Sequence, residues 1–218
     1  MNKPACQPVI TAVYGLINYL TNGLLKRIAL FASGSGSNAE KIAAHFAGSL
    51  DIEVSLLLTN NPKAGVIDRA RQGFGRGLHV PVLLFDRPTF YNTDRIAQLL
   101  QQQQIDLIVL AGFMWLMPTS LVRAFPNQII NIHPALLPKF GGRGMYGHYV
   151  HEAVVAAGET ESGITIHYVN EQYDEGQTIF QASCPVLSTD TPDDVAHRIQ
   201  ALEHKHYPRV VANLLAER

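Results

Sequence analysis

The chain runs to 218 residues, 47% of them hydrophobic, with a formal net charge of −1. That is enough apolar material for one large core or two small ones. A balance so near neutrality excludes a general nucleic-acid or anionic-membrane surface, because those partners require a basic patch. Two cysteines, Cys6 and Cys184, sit in no metal-binding or redox spacing and point to a reducing, cytoplasmic setting.

The stretch from Val9 to Leu25 is mildly apolar but interrupted by Asn18, Thr21 and Asn22. It is short and polar for a membrane span and lacks the charge pattern and cleavage site of a secretory signal. We read residues 1–26 as an extension without an assigned role, either helical or the product of an upstream translation start. A single domain over residues 27–218 is expected to follow it. No repeat, low-complexity tract or interdomain linker divides that domain.

From Arg27 onward, short apolar runs alternate with amphipathic segments. Strands are expected at residues 28–32, 54–58, 80–85, 107–111 and 128–132. Helices are expected from near Asn38, over 65–72 and over 89–103. Uniformly apolar strands separated by helices indicate a parallel sheet covered on both faces, wound in the Rossmann-like, doubly wound manner. Residues 163–169 alternate strongly and 178–186 form another strand-like run, so an antiparallel portion should close the sheet. The last segment, 193–215, has helical spacing that Pro208 should interrupt. The fold class is α/β, mostly parallel, with a late antiparallel portion.

Three stretches carry chemistry. Ser33-Gly34-Ser35-Gly36-Ser37-Asn38 follows the first strand directly. Its glycines let backbone N–H groups curl around an anion at a helix N-terminus, with serine hydroxyls to supplement them. A plain strand-to-helix turn with Asn38 as its N-cap is the alternative; neither the dinucleotide fingerprint nor a Walker loop is complete here. Asn131-Ile132-His133-Pro134 ends the fifth strand, where alternation puts Asn131 and His133 on one face and Pro134 closes the element. An amide donor beside an imidazole suits a reaction that builds an oxyanion and moves a proton. Tyr173-Asp174-Glu175-Gly176 offers carboxylates to complete the set, and a carboxylate nearby raises an imidazole's pKa. The same residues also suit an ordinary hairpin turn. His148 and His151, and His204 with His206, lack the cysteines or HExxH pattern of a metal site, so no metal is expected.

Taken in order, these stretches resemble the glycinamide ribonucleotide formyltransferase family, the folate-dependent transferases of purine synthesis. Ala111-Gly112-Phe113-Met114, the run Asn131 to Lys139, Gly163-Ile164-Thr165-Ile166-His167 and the closing Glu203-His204 with Tyr207-Pro208 continue the likeness over about residues 27–215. The resemblance implies that Gly36, Ser37 and Asn38 hold the substrate phosphate. Glu203 would bind the ribose hydroxyls, with Gln200, Ala201 and Leu202 lining that site. Met114, Trp115, Leu116 and Met117 would receive the pterin, largely through backbone groups, together with Asn131, Asn170, Glu171, Gln172, Tyr173 and Asp174. It implies a catalytic set of Asn131, His133 and Asp174, in which Asp174 keeps His133 protonated. The implied reaction is direct formyl transfer from 10-formyltetrahydrofolate, as co-substrate, to the glycinamide amine.

Two departures stand out. Trp115 occupies a position where many relatives have arginine. The run Gly141-Gly142-Arg143-Gly144-Met145-Tyr146-Gly147 looks longer than the family's usual loop, as either a cover over the reacting groups or a surface insertion. Within the same fold, methionyl-tRNA formyltransferases add a C-terminal domain and basic surface, and formyltetrahydrofolate deformylases add an N-terminal regulatory domain. A deformylase-like hydrolase and a catalytically silent nucleotide-binding module are the competing readings. The expected partners are the two small-molecule substrates, with no nucleic acid and no membrane. Oligomeric state leaves no mark in the sequence.

Overall fold

The structure, a computed structural model, describes residues 25–217; the expected N-terminal extension, apart from its last two residues, lies outside the described residues, as does Cys6. Seven strands form one sheet: β1 (Lys26–Phe31), β2 (Ile52–Thr59), β3 (Val82–Leu84), β4 (Leu107–Leu110), β5 (Ile129–His133), β6 (Glu161–Tyr168) and β7 (Thr178–Pro185). Their order is β3-β2-β1-β4-β5-β6-β7. Pairing is parallel from β3 through β5 and antiparallel for β5 with β6 and β6 with β7. The winding direction reverses between β1 and β4, and in such sheets the ligand crevice opens beyond the carboxyl ends of the strands at that reversal.

β1 shows why the strands read as unbroken apolar runs. Ile28 and Leu30 enter one core, and Ala29 and Phe31 enter the other. The first core is covered by α1 (Ser37–His45), α2 (Gly65–Arg71), α6 (His148–Ala156) and α7 (Pro192–Ala216), through residues such as Ile42, Val66, Val150 and Ile199. The second is covered by α3 (Arg87–Asn92), α4 (Arg95–Gln102) and α5 (Thr119–Ala124), through Phe90, Leu100 and Leu121. A strand buried on both faces leaves no polar position to alternate with.

Three expectations need correction. The third strand is shorter than residues 80–85, because Pro81 has no N–H to extend the ladder; its carbonyl still accepts from Leu57 N–H at 2.9 Å. The helix expected over 89–103 is two helices. Asp86 caps the first by accepting from Thr89 N–H at 2.9 Å, and Thr93, extended at φ −141°, separates it from the second. Pro208 does not interrupt the last helix, which runs 25 residues from a capping box between Thr191 and Asp194. The missing N–H forfeits one hydrogen bond to the carbonyl a turn earlier, but Tyr207, Pro208 and Val211 are buried against the core and hold the helix through that point.

Tyr207 ties α7 to the sheet where it matters for the crevice. Its ring is fully buried, and its hydroxyl lies 3.0 Å from Leu110 O and 3.3 Å from Ile130 O, bridging β4 and β5. A Tyr207→Phe variant should lose roughly 1–3 kcal/mol of unfolding free energy in urea, because two buried carbonyls lose their shared donor. A variant as stable as the parent would contradict that role.

Candidate active site

A cavity of about 680 Å³ opens at the carboxyl edge of the sheet over the β1/β4 reversal. The loop after β1 forms one end. Gly36 sits in the left-handed region at φ 78°, and an added Cβ would lie 2.3 Å from the Val66 side chain, so only glycine fits. Gly36, not Asn38, occupies the N-cap position of α1. The amides of the first turn, at Ser37 and Asn38, therefore have no partner within the helix, which suits an anion. α2 braces the loop from behind: Val66 N–H donates to Gly34 O at 3.1 Å and Arg69 Nε to Ser35 O at 2.8 Å. Asn38 Nδ2 donates to Glu203 Oε2 at 2.9 Å, while its Oδ1 is buried without a protein partner. Burial pushes the Glu203 carboxyl above its ordinary pKa, against the lowering effect of Asn38.

The sheet brings Asn131, His133 and Asp174 together at the centre of the cavity. Register places Asn131 opposite His167 and His133 opposite Thr165 across β5 and β6. Asp174, at φ 57°, turns in from the loop between β6 and β7. That loop closes onto β6 at Gly176, where a Cβ would lie 1.6 Å from Tyr168 O. Asp174 Oδ2 is 3.5 Å from His133 Nδ1 and accepts from Gly142 N–H at 3.0 Å. Asp174 Oδ1 is 3.5 Å from Asn131 Nδ2 and 3.6 Å from His167 Nε2. The His133 and Asp174 side chains are only 4% and 10% exposed, so little water screens the pair.

Hydrogen positions follow from the partners. Tyr168 O and Phe140 O can only accept, so His167 Nδ1 carries a hydrogen toward the first and His133 Nε2 toward the second, each at 2.8 Å. In its neutral form His167 then accepts from Asn131 Nδ2 at 3.3 Å through Nε2. The Asn131 amide is thereby aimed by two acceptors at the long end of hydrogen-bonding range, and an oxyanion entering the cavity can compete for its hydrogens.

For His133 both ring nitrogens face acceptors, an arrangement satisfied in full only by the doubly protonated ring. Burial opposes that charge and wins: it holds the His133 pKa below the ordinary imidazole value although Asp174 and Phe140 O pull it upward. The expectation that the carboxylate keeps His133 protonated therefore fails for the free protein, because desolvation outweighs the neighbour. Burial also works on Asp174, upward, but contact with His167, the charge of His133 and the Gly142 N–H hold its carboxyl below the usual range.

Met114, Trp115, Leu116 and Met117 form a second wall, as do Gln172 and Tyr173. Trp115 packs among Phe85, Phe90, Tyr91 and Phe113, and the Arg87 guanidinium lies 5.6 Å from its ring centroid. Gln200 and Glu203 reach the cavity from one face of α7; Ala201 and Leu202, turned about 100° and 200° onward from Gln200, are not in the wall. Asn170 and Glu171 are also outside it: Asn170 Oδ1 accepts from Gln172 N–H at 2.9 Å, and Glu171 pairs with Arg123. The run of residues 141–147 is not a remote insertion, because residues 142–147 all line the cavity.

Sequence reasoning gave no role to His167, nor to the backbone groups of Phe140 and Gly142. His167 was within reach, since Thr165 and His167 share a face of an alternating strand. Backbone donors and acceptors leave no residue-type signature.

The formyl transferase family matches residues 26–211. A chloroplastic phosphoribosylglycinamide formyltransferase of Arabidopsis thaliana is 42% identical over 199 residues, covering 88% of this chain and 66% of that protein. The phosphoribosylglycinamide formyltransferase of Bacillus subtilis is 37% identical over 196 residues, covering 88% of this chain and 95% of its own. The chain thus spans just under two thirds of the plant relatives, 66% and, for the Vigna unguiculata protein, 62%. A crystal structure of phosphoribosylglycinamide formyltransferase from Bacillus halodurans superposes with a TM-score of 0.75 at 39% identity, covering 87% of this chain and 95% of the other.

His133, His151, His204 and His206 all have pKa values lowered with burial as the first cause. As pH falls, the unfolded chain takes up those protons first, so stability should be lost from the ordinary imidazole value downward. Melting temperature should fall from about pH 7, where the unfolded chain begins to take up protons, down to about pH 5, and His133→Gln should flatten the slope. A flat profile through that window would contradict the burial argument.

Proposed function

The chain belongs to the formyl transferase family, within its phosphoribosylglycinamide formyltransferase branch, and from that premise we propose that it transfers the formyl group of 10-formyltetrahydrofolate to the amine of 5'-phosphoribosylglycinamide. The observation that carries the proposal is the juxtaposition of an amide, an imidazole and a buried carboxylate in one cavity, with a helix N-terminus at its far end.

In this reading the phosphate lies against the amides of Gly36, Ser37 and Asn38, and Glu203 takes the ribose hydroxyls, with Gln200 beside it. Ala201 and Leu202 support that turn of α7. The pterin rests on the backbone of Met114, Trp115, Leu116 and Met117, with Asn131, Gln172, Tyr173 and Asp174 opposite, while Asn170 and Glu171 shape the loop from outside the cavity. The amine attacks the formyl carbon, a C–N bond forms, and the formyl oxygen becomes an oxyanion. Asn131 Nδ2 donates to that oxyanion. His133, neutral in the free protein, takes up the proton released by the attacking nitrogen. Its cation is then satisfied by Phe140 O and Asp174, and the new negative charge offsets the cost of burying it. The proton returns by way of a water held at the His133–Asp174 pair to the departing folate nitrogen as the old C–N bond breaks. One proton moves from amine to folate, with no net uptake. A cytoplasmic setting completes the reading, supported by sparse cysteine usage.

Purified protein supplied with both substrates should yield the formylated ribonucleotide and tetrahydrofolate. Formate release in the absence of the ribonucleotide would overturn the proposal in favour of a hydrolase. Asn131→Ala should lower turnover by about 10²–10³-fold, the range for one lost oxyanion donor. His133→Ala retaining the parent rate would remove His133 from the mechanism.

A further inference from the structure

The cavity is walled by two loops from different strands, residues 34–38 after β1 and residues 112–117 after β4. Ser33 joins them without reaching the cavity, and it is 6% exposed. All its polar groups are engaged. Its N–H donates to Gly112 O at 3.0 Å, and its carbonyl accepts from Asn61 Nδ2 at 3.1 Å. Its hydroxyl donates to Asn60 Oδ1 at 2.7 Å and accepts from Met114 N–H at 3.2 Å. The direction is forced, because an amide oxygen only accepts and a backbone N–H only donates. Asn60 therefore consumes the one hydroxyl hydrogen and leaves a lone pair for Met114. The hydroxyl does not serve the anion loop, as the sequence had suggested for its serines; it spans the ends of β1, β2 and β4 at the reversal point.

We propose that Ser33, oriented by Asn60, is a positioning residue that fixes the folate-receiving stretch relative to the phosphate loop. This rests on the proposed function. A two-substrate transfer needs its reacting atoms about 3–3.5 Å apart, and misplacement by about 1 Å is costly. Here each substrate is held by a different loop, so any slack between the loops passes directly into the distance between amine and formyl carbon. The Ser33 hydroxyl is the side-chain group that removes that slack. Alanine at 33 keeps both backbone hydrogen bonds of the residue, so the phosphate loop stays in register, while Met114 N–H loses its acceptor and the pterin wall loosens.

The test compares Ser33→Ala, Asn60→Leu, Asn60→Asp and the double variant Ser33→Ala/Asn60→Leu, with steady-state kinetics in each substrate and thermal unfolding. Ser33→Ala should raise KM for the formyl-folate about tenfold, the effect of one orphaned buried donor, and lower kcat. Its KM for the ribonucleotide should stay within about twofold of the parent, since distant contacts are independent. Asn60→Leu should move the same constants less, Asn60→Asp should resemble the parent because it keeps the acceptor, and the double variant should be no worse than Ser33→Ala. Binding of tetrahydrofolate, read from the fluorescence of Trp115, the chain's single tryptophan, should weaken in parallel. Failure of the parent to transfer formyl groups would sink the proposed function, and the binding measurement would still decide the role of Ser33. An unchanged folate KM and affinity with a lowered melting temperature, equal increases in both KM values, or additive effects in the double variant would each overturn it.

Discussion

Asp174 is the group on which the site depends. One oxygen of its carboxylate faces His133 and the Gly142 N–H, and the other faces Asn131 and His167. A carboxylate this enclosed is tolerable only where donors meet it; the Gly142 N–H and the Asn131 amide do so on its two oxygens, and its pKa stays below the usual range against its own desolvation. The opposite balance holds for His133, where burial prevails over the same neighbour. The pair is therefore poised. An anionic charge appearing in the cavity tips the imidazole toward its cation, and the acceptors for that cation are already in place.

The fold supplies this arrangement at the one place where its winding reverses. β1 and β4 part there, and the loops that leave them become opposite walls of the cavity. The antiparallel pair β6 and β7 then brings His167 and Asp174 back against β5. α7 closes the remaining side, with Glu203 reaching the loop after β1 through Asn38 and Tyr207, one turn later, anchored to β4 and β5. Cavity-lining groups and the contacts that anchor them thus share elements, and at the opposite wall the Ser33 hydroxyl ties Asn60 to the Met114 N–H.

Much of this was legible from residue order. Strands buried on both faces announce themselves as apolar runs, and the two-residue spacing of Asn131 and His133 follows from pleating alone. What escaped the sequence depends on distance and burial. Pro208 reads as a helix breaker until the packing that offsets it is visible, and Thr93 splits a helix whose apolar spacing continues across it. The part played by His167 depends on the register of β6 against β5, which no local pattern states. The sign of the His133 shift was misjudged because a carboxylate neighbour is readable from sequence and desolvation is not.

Asp174 raises the affinity of His133 for a proton without overcoming the burial of the ring. An NMR titration of the His133 imidazole in the free protein, repeated in Asp174→Asn, tests it directly. The His133 pKa should lie below the ordinary imidazole value in the parent and lower still in the variant. A parent value at or above the ordinary one, or a rise on removing the carboxylate, would contradict it.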